Sequence, residues 1–452
     1  MYDDALAPAT DKSDGALGPA GGPSAGGVAV FNTNSWNHGG LITLNKLESS
    51  WGDKVTDELG AEMPSQRLST GELVFWAGGI PALASKHFRV VKGNSNVTSV
   101  CKVNQTTLEN GLLKVTVNAA TGNITQLINL KTGYNYADEK TNGLNAFYWL
   151  PANIDAPVAD SNIKVTVTEN GPLLVEMKIQ SQGRGVRSVS RVIRLVAGQP
   201  WVEIKNTVDK LPLPAKDGIH FGFGFNIPHA KTRVDIPWGV MEIDKDQWPQ
   251  GNRNWIALQR WLDVSNDKQG VTWCSLDAPL FEYGKMTANI ALGWGSKGPW
   301  VQKTEPSSSV YSWVMNNHWH TNFPLTQEGP VDFRYRIMPH GTYDAAAANR
   351  FGMEQAQPLV HVMANKDPKL SPFVNIDNDK VVVTILKSTD ESKAVILRLR
   401  SLSDKAETVK LDFSTSNPKA VYQCDTEENP GKQIIEDISL LPFGMSTIKV
   451  EF

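Results

Sequence analysis

A chain of 452 residues with 20% charged and 40% hydrophobic side chains has an ordinary soluble composition and is long enough for roughly two to four domains. Its formal net charge of −3 gives no electrostatic reason to expect nucleic acid or an anionic membrane as a partner. No apolar run approaches the roughly 20 residues that span a bilayer, and no basic stretch followed by an apolar one marks a signal peptide at the amino terminus, so the chain reads as soluble with its compartment open.

Residues 1–27 are rich in Ala, Gly, Pro, Asp and Ser without a hydrophobic period, which is linker composition. From Val28 the texture becomes that of a small β-sandwich over residues 28–104. Val28–Phe31 reads as a strand with Leu41–Leu44 as its partner. Gly71–Trp76 reads as another strand, followed by a turn over Gly78–Pro81, and Phe88–Val91 as the last one.

Residues 105–360 form the largest unit. Leu113, Val115 and Val117 alternate with polar residues, as do Ile163/Val165/Val167, Val175/Met177/Ile179 and Val202/Ile204. Such alternation places apolar side chains on one face of half-buried antiparallel strands. Turn signals recur at Ala120–Asn123, Glu169–Pro172 and Gly198–Pro200, and no βαβ rhythm appears, so the class is all-β. One helix is expected, from Asp344 as N-cap through Ala345–Ala348 to a stop at Pro358. Residues 361–452 read as a terminal β-sandwich, with Val395/Leu397/Leu399 facing opposite to Ile396/Arg398/Arg400 and with Val409, Leu411 and Phe413 on one face.

Cys101, Cys274 and Cys424 allow at most one disulfide and form no metal-type spacing; they read as buried or half-buried thiols. Sequons at Asn96, Asn104 and Asn123 matter only in a eukaryotic secretory setting.

The candidate site is the stretch from His220 to Pro279 together with Met315–Phe323. Nine of the 14 Trp lie between Trp238 and Trp319. Sugars present apolar C–H faces that stack on aromatic rings, and hydroxyls that need forked polar partners. Asn252, Arg253, Asn254 and Trp255, after the turn-like Trp248–Gly251, supply both; the same residues also make good packing or interface material. In Asn316, Asn317, His318, Trp319 and His320, strand geometry would put both histidines on one face. They would then serve as hydrogen-bonding or sugar-contacting groups, or as two ligands of a metal that needs a third from His220 or His229. A glycosidase needs a pair of carboxylates. Asp235, Asp244, Asp246, Asp263, Asp267, Asp277 and Glu282 all lie nearby, and nothing selects two of them over solvated loop acids. Serine-nucleophile, nucleotide and dinucleotide motifs are absent.

With those residues in view, the chain resembles the carboxy-terminal β-half of glycoside hydrolase family 38, the α-mannosidases. The resemblance is carried in order by Val28–Asn32, Glu109–Val115, Thr121–Ile124, His220–Phe223, Asp235–Gly239, Asn252–Trp255, Trp261–Asn266, Asp277–Pro279 and Asn316–Phe323. It implies a small β-domain, then a large supersandwich similar to the galactose mutarotase fold, then a terminal sandwich. In that family these domains follow a (β/α) barrel that carries zinc and the nucleophilic Asp. No stretch here reads as that barrel, so no catalytic residue and no metal ligand is carried over, and the chain is expected to need no cofactor of its own. The resemblance implies a mannoside and the catalytic barrel as partners, and a cleft-lining role for Asn252–Trp255 and Asn316–His320. Two other readings stand beside it: a free-standing carbohydrate-binding protein, and an aldose-epimerase- or lyase-like supersandwich using His318 or His320 as acid or base.

Overall fold

The computed structural model describes residues 25–151, 157–287, 301–317, 324, 326–366, 368, 370–389, 393–413, 417–434 and 437–452. Every strand pairing among them is antiparallel, and the one α-helix is Ala345–Ala356. The expected linker over residues 1–27 lies outside the described residues up to residue 24; Ala25 already opens a strand.

The first unit packs a five-stranded sheet against a three-stranded one, with Val28, Val30, Phe75, Phe88 and Val90 sealed between them. Two expectations for it change. Ala25–Phe31 pairs with Ser85–Val91 and with Val360–Met363; Leu41–Leu44 belongs to His38–Leu44, which pairs with Leu73–Ile80 in the other sheet. The Gly78–Ile80 segment expected as a turn continues the strand, because the register shift between His38 and Gly40 absorbs Gly78 and Gly79, the latter at a φ of 63°. The strand from Val360 to Met363 also spans the expected boundary at 360/361. A segment that follows the supersandwich closes the edge of the first sheet.

The central unit faces a ten-stranded sheet with a nine-stranded one. Its core comes from the alternating positions read in the sequence: Leu113, Val115, Val175, Met177, Ile179, Val202 and Ile204 are all buried. Trp273 stacks on Tyr335 at the centre, with ring centroids 5.4 Å apart. Lys102–Asn104, expected at the end of the first unit, pairs with Thr107–Glu109 and so joins the ten-stranded sheet. A polar cluster crosses this core. The fully buried Arg191 donates to Asn123 Oδ1, to the carbonyls of Asn145 and Thr121, and to Asp160 Oδ2. The Asn123 sequon amide is therefore an internal acceptor.

The terminal unit, with Leu397, Leu399, Ile448 and Val450 in its core, is a sandwich as expected. Ile396 and Arg400, on the face opposite Leu397 and Leu399, are buried as well. The helix is capped as read, Asp344 accepting from the Ala347 amide, and it wedges three units together. Ala346 and Met353 meet Trp36, Val382 and Leu402, while Ala348 and Phe351 meet Trp261 and Cys274. Gly352 is required there, since a Cβ would lie 2.5 Å from Trp261 Cδ1. The three cysteines are free thiols, and burial pushes Cys101 up to about 11. Among the described residues no helix is long and apolar enough to cross a membrane.

Candidate functional site

Three neighbouring strands of the ten-stranded sheet build the site: Leu144–Pro151, Asp217–Gly224 and Ser309–Asn316. Period-two geometry sends Phe147, Ile219 and Phe221 into the core. It leaves Tyr148, Leu150, His220, Tyr311 and Trp313 on the outer face. A register shift between Ile219 and His220 sets Trp313 opposite His220, and the two rings stack at 5.7 Å with planes 8° apart. Trp255 meets Trp313 edge-on at 5.8 Å, and Tyr148 meets Tyr311 at 6.1 Å. Gly222 lets the two tyrosines close over it, since a Cβ there would stand 2.9 Å from Tyr148 Cε2.

Beneath these rings His220 Nε2 lies 2.8 Å from Glu282 Oε2, both side chains fully buried. The other Glu282 oxygen accepts from the Thr287 amide. Both groups are sealed from any solvent-borne substrate.

The Asn252–Trp255 segment divides in role. Arg253 is 5% exposed. Its guanidinium reaches Asp244 Oδ1 at 2.6 Å and the carbonyls of Gly251 and Trp248, closing the turn that carries the exposed Trp248. Asn252 Oδ1 accepts from the Asn254 amide. Asn254 bridges the Thr287 carbonyl and the Val301 amide. These residues fasten loops together, while Trp255, half-buried, presents its ring. A cavity of about 290 Å³ lies beside Arg253, Tyr283 and Thr304.

Asn316 and Asn317 end their strand at the sheet's rim. Asn317 donates its backbone amide to Asp217 O and its side chain to Ala215 O. Beside them Lys210 and Asp217 form a buried pair at 2.9 Å, and Trp149 Nε1 donates to the same Asp217 oxygen. Lys210, Met315, Asn316 and Asn317 line a second cavity of about 290 Å³. His318, Trp319 and His320 lie outside the described residues. Sequence reasoning missed Tyr148, Tyr311, Lys210 and Asp217, since nothing local marks which alternating position faces outward on a sheet buried on both sides.

The candidate carboxylates scatter. Asp235 is buried, its nearest cation Arg260 at 3.8 Å, and burial raises its carboxyl to about 6 against the charges of Arg260 and Arg400. Asp244 closes the Arg253 turn, and Asp246 accepts from the Glu242 amide. Asp263 binds His340, and Asp277 pairs with Arg334. Asp267 lines a cavity on the other sheet. Among the described residues no three His, Cys, Asp or Glu stand together to hold a metal ion, so these residues do not fit a zinc centre.

Fold and face together define an all-antiparallel supersandwich, flanked by smaller β-units, with a rim of aromatic and amide groups. The description "Glycosyl hydrolases family 38 C-terminal domain" matches residues 108–278, and "Glycosyl hydrolases family 38 C-terminal beta sandwich domain" matches residues 380–449. Those stretches cover more than half of the chain, and the chain belongs to glycosyl hydrolase family 38 by its carboxy-terminal domains. An α-mannosidase from Enterococcus faecalis V583 superposes with a TM-score of 0.72 at 12% identity, over 95% of this chain and 56% of that one. A family 38 protein from Enterococcus faecalis gives 0.72 at 13%, over 95% and 58%. The chain thus spans a little over half the length of these structures, and at this identity they show the fold. No curated protein sequence matches the chain.

Proposed function

We propose that the chain is the non-catalytic β-portion of an α-mannosidase-like glycoside hydrolase, shaping a substrate cleft completed by a catalytic barrel. The observation that carries this reading is the outer aromatic face of Tyr148, Tyr311, Trp313 and Trp255, with the amide-bearing Asn316–Asn317 rim on the same sheet. Trp313 and Tyr148 are buried and back the face, so the half-buried Tyr311 and Trp255 supply the sugar-stacking surface and the Asn316–Asn317 rim supplies polar groups. The carboxylates of this region are held in separate internal roles, which supports a wall without the acid–nucleophile pair of a glycosidase. The parent enzyme would hydrolyse α-mannosides with retention, its zinc held by the barrel.

Half a cleft binds weakly. Calorimetric titration of the chain with mannobiose is expected to show millimolar affinity or no saturable heat. Micromolar binding, corresponding to about −8 kcal/mol, would overturn the wall reading in favour of an autonomous carbohydrate-binding protein.

A further inference from the structure

The outer face of the nine-stranded sheet carries a second built site. The strands Lys231–Ile236, Trp261–Ser265, Gly270–Ser275 and Gly329–His340 are neighbours in register, so Lys231, Arg233, Asp263, Ser265, Thr272 and His340 share that face. A cavity of about 680 Å³ opens over them. Its floor is wired from below. The fully buried Asp263 accepts from Ser265 Oγ at 2.5 Å and Thr272 Oγ1 at 3.0 Å, and lies 2.7 Å from His340 Nε2. Gly270 allows this, because a Cβ there would stand 2.3 Å from His340 Cε1. Arg233 is fixed twice, donating to Ser265 Oγ at 3.2 Å and lying 4.3 Å from the Tyr343 ring centroid. The rim is tied as well: Asn266 Nδ2 donates to Pro228 O, joining the turn that carries His229 to the one that carries Lys268.

Charge decides what the cavity takes. Lys231, Arg233 and Lys268 line it, and none of them has an ion-pair partner among the described residues. Asp267 is the sole acid among the described residues of the lining, and Asp263 is already met by Ser265, Thr272 and His340. Arg233, held against Ser265, with Lys231 and Lys268 at the exposed rim suits a tetrahedral oxyanion, which accepts charge-assisted hydrogen bonds from cations. The cavity is larger than a bare phosphate, and Asn266, Gln269 and Thr342 add neutral donors and acceptors around it.

We infer that this face binds a phosphate or sulfate ester carried on a sugar, with Arg233, positioned by Ser265, at the oxyanion and Lys231 and Lys268 at the rim. The sugar part rests on the carbohydrate reading above; the oxyanion part does not. The test is calorimetric titration of the whole chain at low salt with inorganic phosphate, glucose 6-phosphate, dextran sulfate and uncharged dextran. An ester-bearing sugar is expected to bind saturably below about 1 mM and uncharged dextran not at all. Arg233→Gln is expected to weaken binding about tenfold or more. The exposed pair Lys231→Gln with Lys268→Gln provides the same test without touching the buried wiring. Equal affinities for inorganic phosphate and glucose 6-phosphate would refute the sugar part while leaving the oxyanion site. Absence of saturable binding by every anion up to about 10 mM, or unchanged affinity in the double lysine variant, would overturn the site altogether.

Discussion

The imidazole of His220 lies flat against the indole of Trp313, while its Nε2 meets the Glu282 carboxylate 2.8 Å away in a site closed to water. Removing one partner of a buried pair costs far more than removing both, because the survivor is left uncompensated. His220→Ala is expected to destabilise the chain by about 3–5 kcal/mol, and the double variant with Glu282→Gln to recover part of that loss. Denaturant unfolding of the single and double variants measures the difference.

Asp235 makes stability depend on pH. Burial raises its carboxyl to about 6 in the folded chain, against the charges of Arg260 and Arg400. The folded state then holds the proton more tightly than the unfolded one, so its contribution is present at low pH and is lost as pH rises from about 4 to about 6. A shift of about two units corresponds to about 3 kcal/mol. Asp235→Asn is expected to flatten this part of the stability–pH profile, read from thermal midpoints at pH 4, 5, 6 and 7.

His340 acts in the same direction over a higher window. Burial alone would lower it, but the hydrogen bond and charge of Asp263 outweigh burial and raise it above its ordinary value. The imidazolium's contribution is full below about 6.5 and is lost as pH rises through the raised value. His340→Gln is expected to lower stability at pH 6 more than at pH 9, measured as the difference between the two midpoints.

Gly352 sets helix propensity against packing. Alanine is the better helix former by about 1 kcal/mol. Its Cβ would nevertheless stand 2.5 Å from Trp261, a ring sealed between the supersandwich and the helix. Overpacking of this kind costs about 1–3 kcal/mol. Gly352→Ala is therefore expected to lower the thermal midpoint. A rise would show that the helix docks more loosely than its contacts imply.

Much of the fold was legible because it is locally periodic. Leu113/Val115/Val117 and Val175/Met177/Ile179 alternate as half-buried strands must, and Asp344 caps the helix as its side chain allows. What escaped depends on partners far away in the chain. Nothing near Val28 says that its strand pairs with Met363, and nothing near Ile396 or Arg400 says that both are buried. The site was legible in composition and less so in role. Arg253 has the right chemistry for a sugar hydroxyl, yet the carbonyls of Trp248 and Gly251 occupy its guanidinium. Glu282 was one acid among many until Tyr311, opposite it across the strands, placed it on the outer face.

The central claim is that this chain contributes a wall to a cleft and leaves bond cleavage to another domain. Release of the aryl alcohol from an aryl α-mannoside by the isolated chain, with and without added zinc, tests it most directly. The account predicts no release above a buffer control under either condition. Clear turnover that chelation abolishes would contradict it.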